Sequence, residues 1–412
     1  MPASEFFNVQ TVEAALALLF DLWQPQPRMS TIPTAQANGR VLARAPTSSI
    51  DLPEFPRSSM DGYAVRAVDT FGASASLPAY VQVVGRVQMG ETPDLNLRAG
   101  EAAEIFTGAM LPRGADAVVM VEHTQQSGAN EIEVLSPVAP GENVIQIGED
   151  VRAGEAILPV GHRLRPQDIG GLLAVGILSI EVAAAPRVAI VGSGDEIVPP
   201  EQTPGPGQIR DINSYTLAAL FEAAGAEVRL GGVSGDTFDS LHTLAQACLT
   251  DADVLVISAG SSISTRDLTS AVIDRLGRPG VIQHGLAVKP GKPTLIGLCD
   301  GKPVIGLPGN PVSAFLVARQ IVLPVIRRVL GLTDVPMPAV RAVLSANIAS
   351  TTGREDTIPV RLRREGEGWS AQPVFGKSNL IYTLVNADGV VVVPLNSGGL
   401  KAGTMIDVVV FS

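Results

Sequence analysis

The sequence has few charged residues, few aromatic residues and very little cysteine. Of its 412 residues, 17% are charged, 4% are aromatic, and the two cysteines are Cys248 and Cys299. Two cysteines supply neither a disulfide framework nor a cluster of soft metal ligands, which fits a reducing compartment. The N-terminus has no basic segment leading into an apolar one, and no later run reaches about 18 uninterrupted apolar residues. We therefore expect a cytoplasmic protein that has no membrane partner.

Histidine and net positive charge are also scarce. The four histidines, His123, His162, His242 and His284, stand far apart, without metal-ligand spacing and without a nucleophile signature beside them. This distribution argues against a zinc site and against a histidine-based catalytic triad. The net charge is −11, which disfavours a nucleic-acid partner because phosphate backbones are bound by concentrated basic surfaces. Any anion that the protein binds must be held by local groups.

Glycine and proline are abundant. The chain has 42 glycines and 31 prolines among 46% hydrophobic residues, which indicates many short elements separated by tight turns. At about 100–200 residues per domain, the length suggests two to four domains. We expect a multidomain fold of α/β and β type.

Hydrophobic spacing outlines a helical part and a β-rich part in the first half of the chain. Thr11 is placed to cap a helix from Val12 to Trp23, and helical spacing returns after Arg165-Pro166. The residues predicted to share one face of that second helix are Ile169, Leu172, Leu173 and Ile177. Short β-branched runs between these parts predict strands at Tyr80–Val84, Ile105–Phe106, Ala117–Val121 and Ile132–Leu135.

The second half alternates apolar runs with helical segments. Strands are predicted at Val188–Val191, Val228–Leu230, Val254–Ser258 and Val304–Leu307, and helices from Asn213, Phe238, Asp267 and Asn310. This alternation predicts a mostly parallel sheet covered by helices. Beyond Pro336, strand-like runs return at Ile358–Leu362, Gly389–Val393 and Met405–Val410, which predicts a closing β domain of barrel-like form.

These patterns give four predicted domains. They are a discontinuous helical linking domain (1–48 and 147–182), an inserted β-rich domain (49–146), a central α/β domain (183–331) and a C-terminal β-barrel-like domain (332–412).

Three loops of the central domain follow predicted strands, where open parallel sheets bind ligands. They are Gly192–Glu196, Ser258–Ser264 with Asp267 close behind, and Gly306–Ser313, in which Asn310 is placed to cap a helix that begins at Pro311. Small residues and glycines in such loops expose backbone and hydroxyl donors to an anion. Each loop alone is also compatible with an ordinary turn or helix start, and both interpretations stay open here.

Charged side chains near these loops predict an anionic substrate and a hard metal ion. Lys289 and Lys292 project from the proline-rich segment Lys289–Pro293 as compact cationic donors. Glu196, Asp236 and Asp267 each follow a strand of the same sheet, so they could converge and bind Mg²⁺.

Taken together, the motifs resemble the molybdopterin molybdenumtransferase family, the MoeA-like proteins that include the gephyrin E domain. The resemblance runs from about Val12 to the C-terminus. The matching segments are Phe55–Ala64 (FPRSSMDGYA), Ile105–Ala109 followed by Pro112 and Gly114–Asp116, Gly148–Asp150, Gly194–Glu196, Ile209 with Asp211 and Asn213, Lys289–Pro293 (KPGKP), Gly306–Ser313, Gly353–Asp356 and Ala387–Gly389.

The resemblance implies a four-domain, elongated homodimer whose cleft lies between the third domain and the second domain of the partner. It also implies a reaction in which adenylylated molybdopterin and molybdate, with Mg²⁺, yield molybdenum-molybdopterin and AMP. The implied partner upstream is a molybdopterin adenylyltransferase.

Site residues follow from the loops and the resemblance together. Catalytic residues would be Asp61, Thr107, Glu196, Asp236 and Asp267, of which the last three would hold the metal. Substrate-binding residues would be Gly194, Gly260, Ser262, Lys289, Lys292, Pro308, Gly309, Asn310 and Ser313.

Three positions depart from the family pattern. Ala259 and Ser264 replace glycines of the second loop, where a required positive φ would strain a side chain. Ile145 stands where the family commonly has arginine. These departures support an alternative function, a catalytically weak molybdopterin-binding or scaffold paralogue. A nucleotide-binding oxidoreductase is a poorer match because the Gly192 loop lacks the third glycine of that motif.

Overall fold

The computed structural model describes residues 9–259, 263–333 and 337–411. The chain forms two compact units, a smaller one of Thr31–Asn38 with Arg44–Glu181 and a larger one of Met1–Ser30, Gly39–Ala43 and Val182–Ser412. The strands Met29–Pro33 and Ser179–Ala183 lie where the chain passes between them. Across the described ranges, no helix combines the length and apolar character needed to cross a lipid bilayer.

The smaller unit is built on a mixed six-stranded sheet. In spatial order its strands are Ala117–Met120, Gly62–Val65, Glu101–Ile105, Ala79–Val87, Glu131–Val134 and Thr124–Gly128. The sheet buries one cluster around Val65, Val81 and Val119 and another around Ala64 and Ile105. Apolar residues therefore cover both faces, and the β-rich prediction for this part is confirmed.

Other elements of the smaller unit are short. They are the paired strands Arg57–Ser58 and Val144–Ile145, the 3₁₀ turns Thr34–Gln36, Ala67–Thr70 and Val121–His123, and the helix Pro166–Ala174. The helix begins at Pro166, as predicted. Leu173, however, is exposed and does not share the buried face of Leu172, because the helix ends at Ala174 and presents only one narrow apolar stripe.

The larger unit contains the α/β sheet. Its strand order is Glu227–Ser234, Arg187–Ser193, Val254–Ala259, Lys302–Pro308, Leu295–Cys299 and Pro279–His284. The first four strands are parallel to one another. Sequence patterning missed the last two, of which Leu295–Cys299 runs antiparallel to both of its neighbours, Lys302–Pro308 and Pro279–His284. The mostly parallel sheet is thus confirmed.

Helices cover this sheet. They are Val12–Leu22, Asn213–Ala223, Phe238–Asp251, Ile263–Leu276, Pro311–Val317 and Leu323–Leu330, the last two joined through a π turn at Ala318–Val322. The first helix is capped by Thr11, whose hydroxyl accepts from the Ala14 nitrogen at 3.2 Å. Ala15 and Leu19 of this helix pack into the same core as Ile190 of the sheet.

The C-terminal part of the larger unit is a closed barrel. Its strands in order are Glu355–Glu365, Gly368–Pro373, Ala339–Leu344, Met405–Val410 and Gly389–Val393, and the last pairs back with the first. Val288–Lys289 pairs with the start of this barrel in parallel register, so that Lys289 lies opposite Asp356. Smaller elements of the unit are Ile197–Val198, Ile209–Arg210, Ile348–Ala349, Gly399–Leu400 and the helical turn Tyr382–Val385.

Candidate functional site

A cleft of about 650 Å³ lies at the carboxyl ends of the parallel strands. Register places Gly192 opposite Ser258, and Ser258 opposite Leu307. The loops that follow these strands therefore meet at one edge of the sheet, as the sequence predicts. Glu196, Gly309 and Asn310 are among the residues that line this cleft.

Asn213 ties the loops of the cleft together. Its Nδ2 donates to the Ser258 hydroxyl at 3.0 Å and to the Gly309 carbonyl at 2.8 Å. Asn213 stands at the start of a helix, which makes it recognisable in the sequence as a helix start, but its partners are 45 and 96 residues away. No local pattern indicates those contacts.

The three predicted metal ligands are not assembled into one cluster. Glu196 lines the cleft and is exposed, whereas Asp236 accepts a hydrogen bond from the Ser193 hydroxyl at 3.1 Å. Asp267 is exposed on the helix Ile263–Leu276. Over the described stretches of chain, no group of three or more histidine, cysteine or acidic side chains is arranged to hold a metal ion.

Asn310 differs from its expected role. It occupies the N-cap position before Pro311, as predicted, but its side chain makes no cap hydrogen bond. Its amide instead donates to the Ser378 hydroxyl at 3.0 Å. The reason is that the barrel loop around Ser378 approaches the helix start and also accepts from the Val312 nitrogen at 3.0 Å.

A second cavity, of about 630 Å³, adjoins the first and is rich in cations. Lys289, Lys292, Arg354 and Lys377 line it, together with Ser313. Pro308 also lines it, and Asn310 belongs to both cavities. The predicted lysines are therefore brought beside the predicted loop at Gly306–Ser313.

One buried carboxylate organises the cationic cavity. Asp356 is fully buried and accepts from the Arg354 Nε at 2.9 Å, while the Lys289 Nζ lies 3.9 Å from its other oxygen. That other oxygen is buried without a hydrogen bond. The sequence places Arg354 and Asp356 in a motif but does not predict them as site residues, because only the pairing of the strand Val288–Lys289 with Glu355–Glu365 brings them to Lys289.

In the smaller unit, Asp61 and Thr107 form a hydrogen-bonded pair. One oxygen of Asp61 accepts from the Thr107 nitrogen at 2.7 Å and from its hydroxyl at 2.8 Å. These bonds, the backbone one first, lower the pKa of the exposed Asp61 carboxyl. Gly62 begins the next strand, and a Cβ at this position would collide with the Val119 carbonyl oxygen. Close packing of the strands therefore requires a glycine directly after Asp61.

Two of the three departures from the family pattern, Ala259 and Ser264, require no change in the backbone. Ala259 ends a strand, buried and paired with Ser193 and Pro308, so its extended backbone has no need of glycine, and position 264 lies within a helix. Neither position has the positive φ that would have strained a side chain. Ile145 pairs directly with Arg57 on the neighbouring strand, so an arginine stands across the ladder from it.

Of the remaining predicted residues, Gly194 is buried at the start of the first loop. A Cβ at Gly194 would press against the Glu196 carboxylate. Gly260 and Ser262 lie outside the described residues.

Comparison with known proteins finds family models that match three successive parts of the chain. Residues 10–176 match the MoeA N-terminal region (domain I and II), 189–328 a probable molybdopterin binding domain, and 341–411 the MoeA C-terminal region (domain IV).

Individual proteins similar to this chain belong to the same family. A molybdopterin molybdenumtransferase of Nostoc sp. is 36% identical, over 78% of this chain and 74% of its own length. Molybdopterin molybdenumtransferase 2 of Mycobacterium tuberculosis is 33% identical, over 92% of this chain and 95% of its own. The crystal structure of a molybdopterin biosynthesis MoeA protein from Pyrococcus horikoshii OT3 matches with a TM-score of 0.86 at 30% identity, covering 98% of this chain and 100% of that one.

Proposed function

The chain belongs to the MoeA family of molybdopterin molybdenumtransferases, and we propose that it acts on adenylylated molybdopterin and molybdate. It is a transferase that inserts molybdenum during molybdenum-cofactor biosynthesis. The observation that carries the proposal is the pair of adjoining cavities, one lined by Glu196 and one by cations, which share Asn310. Two adjoining cavities of this kind would hold a phosphate-bearing substrate and an oxyanion co-substrate side by side.

The cationic cavity is the proposed site for molybdate and phosphate oxygens. Lys289, Lys292 and Arg354 offer positive charge, and Arg354 is held in place by Asp356 at 2.9 Å. A guanidinium that is already oriented loses little entropy when an oxyanion binds. Cations fixed in this way stabilise charge that develops on oxygen atoms during transfer, which is a large contribution in a site partly shielded from water.

Magnesium is proposed for the carboxylate side of the cleft, and the donor chemistry fits it. Mg²⁺ is usually bound through one or two carboxylates, with substrate phosphates and water completing its coordination. Glu196, which lines the cleft, would be the ligand, whereas Asp236 and Asp267 line neither of the two cavities. When bound, the ion offsets negative charge on phosphate oxygens.

We place Asp61 and Thr107 in the complete site of a homodimer, where they face the cleft of the partner subunit. The two hydrogen bonds from Thr107 to one Asp61 oxygen support this, because they fix a carboxylate in an orientation that leaves its other oxygen to orient a water molecule or a cation. The four-domain division, cytoplasmic location and supply of substrate by a molybdopterin adenylyltransferase belong to the same proposal.

The test is AMP release from adenylylated molybdopterin by the purified protein, with and without molybdate and Mg²⁺. We expect release that depends on molybdate and is lost in Asp61→Asn and Glu196→Gln. The matched control is Glu201→Gln, at an exposed acid outside the cleft lining. Tight substrate binding without release would favour the scaffold paralogue instead.

A further inference from the structure

The barrel loop beside the cationic cavity carries an unusual group of exposed apolar side chains. Phe375 is 64% exposed, Tyr382 is 70% exposed, and Leu380 and Val385 are also exposed. Phe375, Leu380 and Tyr382 line a surface hollow of about 410 Å³. Clustered exposed apolar groups of this kind commonly mark a binding surface.

The hollow is continuous with the site already described. Val374, Phe375, Gly376 and Thr383 line both the hollow and the cavity of Lys289, Lys292 and Arg354. Asn379 lines both the hollow and the Glu196 cleft. An aromatic surface and a cationic surface are therefore neighbours within one continuous recess.

Hydrogen bonds and close packing hold the loop in this shape. The Val374 nitrogen donates to the Pro359 carbonyl at 2.8 Å, and the Val312 nitrogen donates to the Ser378 carbonyl at 3.0 Å. A Cβ at Gly376 would collide with the Thr383 hydroxyl, so the approach of these two segments requires glycine. The aromatic side chains are thus presented by a fixed backbone.

We propose that this hollow binds the pterin ring system of the substrate, with its anionic end in the adjoining cationic cavity. The inference rests on the proposed function and adds the location of the ring. A flat heteroaromatic ring stacks on aromatic side chains with little dependence on its substituents. Polar edges of the ring would meet Asn379 and Asn386, which also line the hollow.

Binding of free 6-hydroxymethylpterin, a pterin without phosphate or dithiolate, tests the location directly by saturation-transfer NMR. We expect binding to the wild-type protein and its loss in the double variant Phe375→Ala/Tyr382→Ala, with retention in Tyr382→Phe. The controls are Phe71→Ala and Tyr80→Ala, which remove aromatic rings that are 60% and 56% exposed from the smaller unit. Molybdate should leave pterin binding unchanged, because it occupies the neighbouring cavity.

Absence of pterin binding, equal binding by the double variant, or displacement by molybdate would overturn the proposal. Equal binding would leave the apolar hollow as a surface for a protein partner. Enzyme kinetics distinguish failure of the pterin-site proposal from failure of the proposed function. In Tyr382→Ala, KM for adenylylated molybdopterin should rise roughly tenfold, and kcat should fall much less. If the wild-type protein releases no AMP, the proposed function fails, whatever the pterin result.

Discussion

A single carboxylate oxygen of Asp61 accepts two hydrogen bonds from Thr107, from its nitrogen at 2.7 Å and its hydroxyl at 2.8 Å. The loops that carry these residues are tied together, since Gly108 donates to the Ser58 carbonyl and Ser58 to the Ala109 carbonyl. The pair is therefore formed within one unit and does not depend on bound substrate.

Thr107→Val should raise the pKa of Asp61 toward its ordinary value. The rise should be partial, because the backbone hydrogen bond is the larger cause of the lowering and remains in the variant. An NMR titration of the Asp61 carboxyl measures it. Thr92→Val, at an exposed threonine of the same unit, is the control, and an unchanged pKa in Thr107→Val would show that the hydroxyl contributes nothing.

Arg354→Ala should lower the free energy of unfolding by about 1–3 kcal/mol, because it leaves the buried Asp356 carboxylate without its hydrogen bond. Urea unfolding measures the change. The control is Arg341→Ala, which breaks the exposed pair with Asp407 at 3.7 Å and should cost no more than about 1 kcal/mol. Equal losses of unfolding free energy in the two variants would mean that groups other than Arg354 stabilise the buried Asp356 carboxylate.

Gly291→Ala should destabilise the lysine segment through two separate effects. Gly291 has a φ of +114°, and a Cβ there would collide with the Val317 side chain. Gly301→Ala isolates the backbone effect, since its φ is +81° and its surroundings are open, and should cost about 1–2 kcal/mol. In Gly291→Ala, overpacking should lower the free energy of unfolding by roughly a further 1–3 kcal/mol, which thermal unfolding would measure. It should also weaken molybdate binding, which calorimetry would measure. If Gly291→Ala lowers the unfolding free energy no more than Gly301→Ala does, the Val317 side chain can move aside without a measurable cost.

The helix Pro166–Ala174 should lose stability in acid. Hydrogen bonds from the Arg165 side chain, at 2.9 and 3.0 Å, hold the pKa of the buried Asp168 carboxyl well below its usual range. A lowered folded-state pKa means that this stability is fully present above about pH 4, the unfolded value, and is lost as pH falls through the folded one.

Asp168→Asn should accordingly cost about 1–3 kcal/mol at pH 7, with a smaller difference from wild type as the pH drops below about 4. Denaturant unfolding across pH measures both. Asp150→Asn, at an exposed acid of the same unit, should show neither effect. A constant difference between Asp168→Asn and wild type at all pH values would contradict the assignment.

The sequence by itself determined many of the elements and the family of this protein. Hydrophobic periodicity is local, so the helix from Val12, the strand beginning near Val188 and the barrel strand at Met405–Val410 could be read from neighbouring residues. The loops after the parallel strands could be placed at one edge of the sheet because the carboxyl ends of parallel strands lie on the same side. Motifs such as Lys289–Pro293 then indicated anion chemistry and the MoeA resemblance.

Only the tertiary structure decided which side chains meet. Lys289 reaches Asp356 because a two-residue strand pairs with a barrel strand that begins 66 positions later, and Asn310 bonds Ser378 instead of its own helix. Ala259 is tolerated because its backbone is extended. Such contacts join residues distant in the chain, and their geometry depends on how the sheet and the barrel pack, which no local pattern encodes.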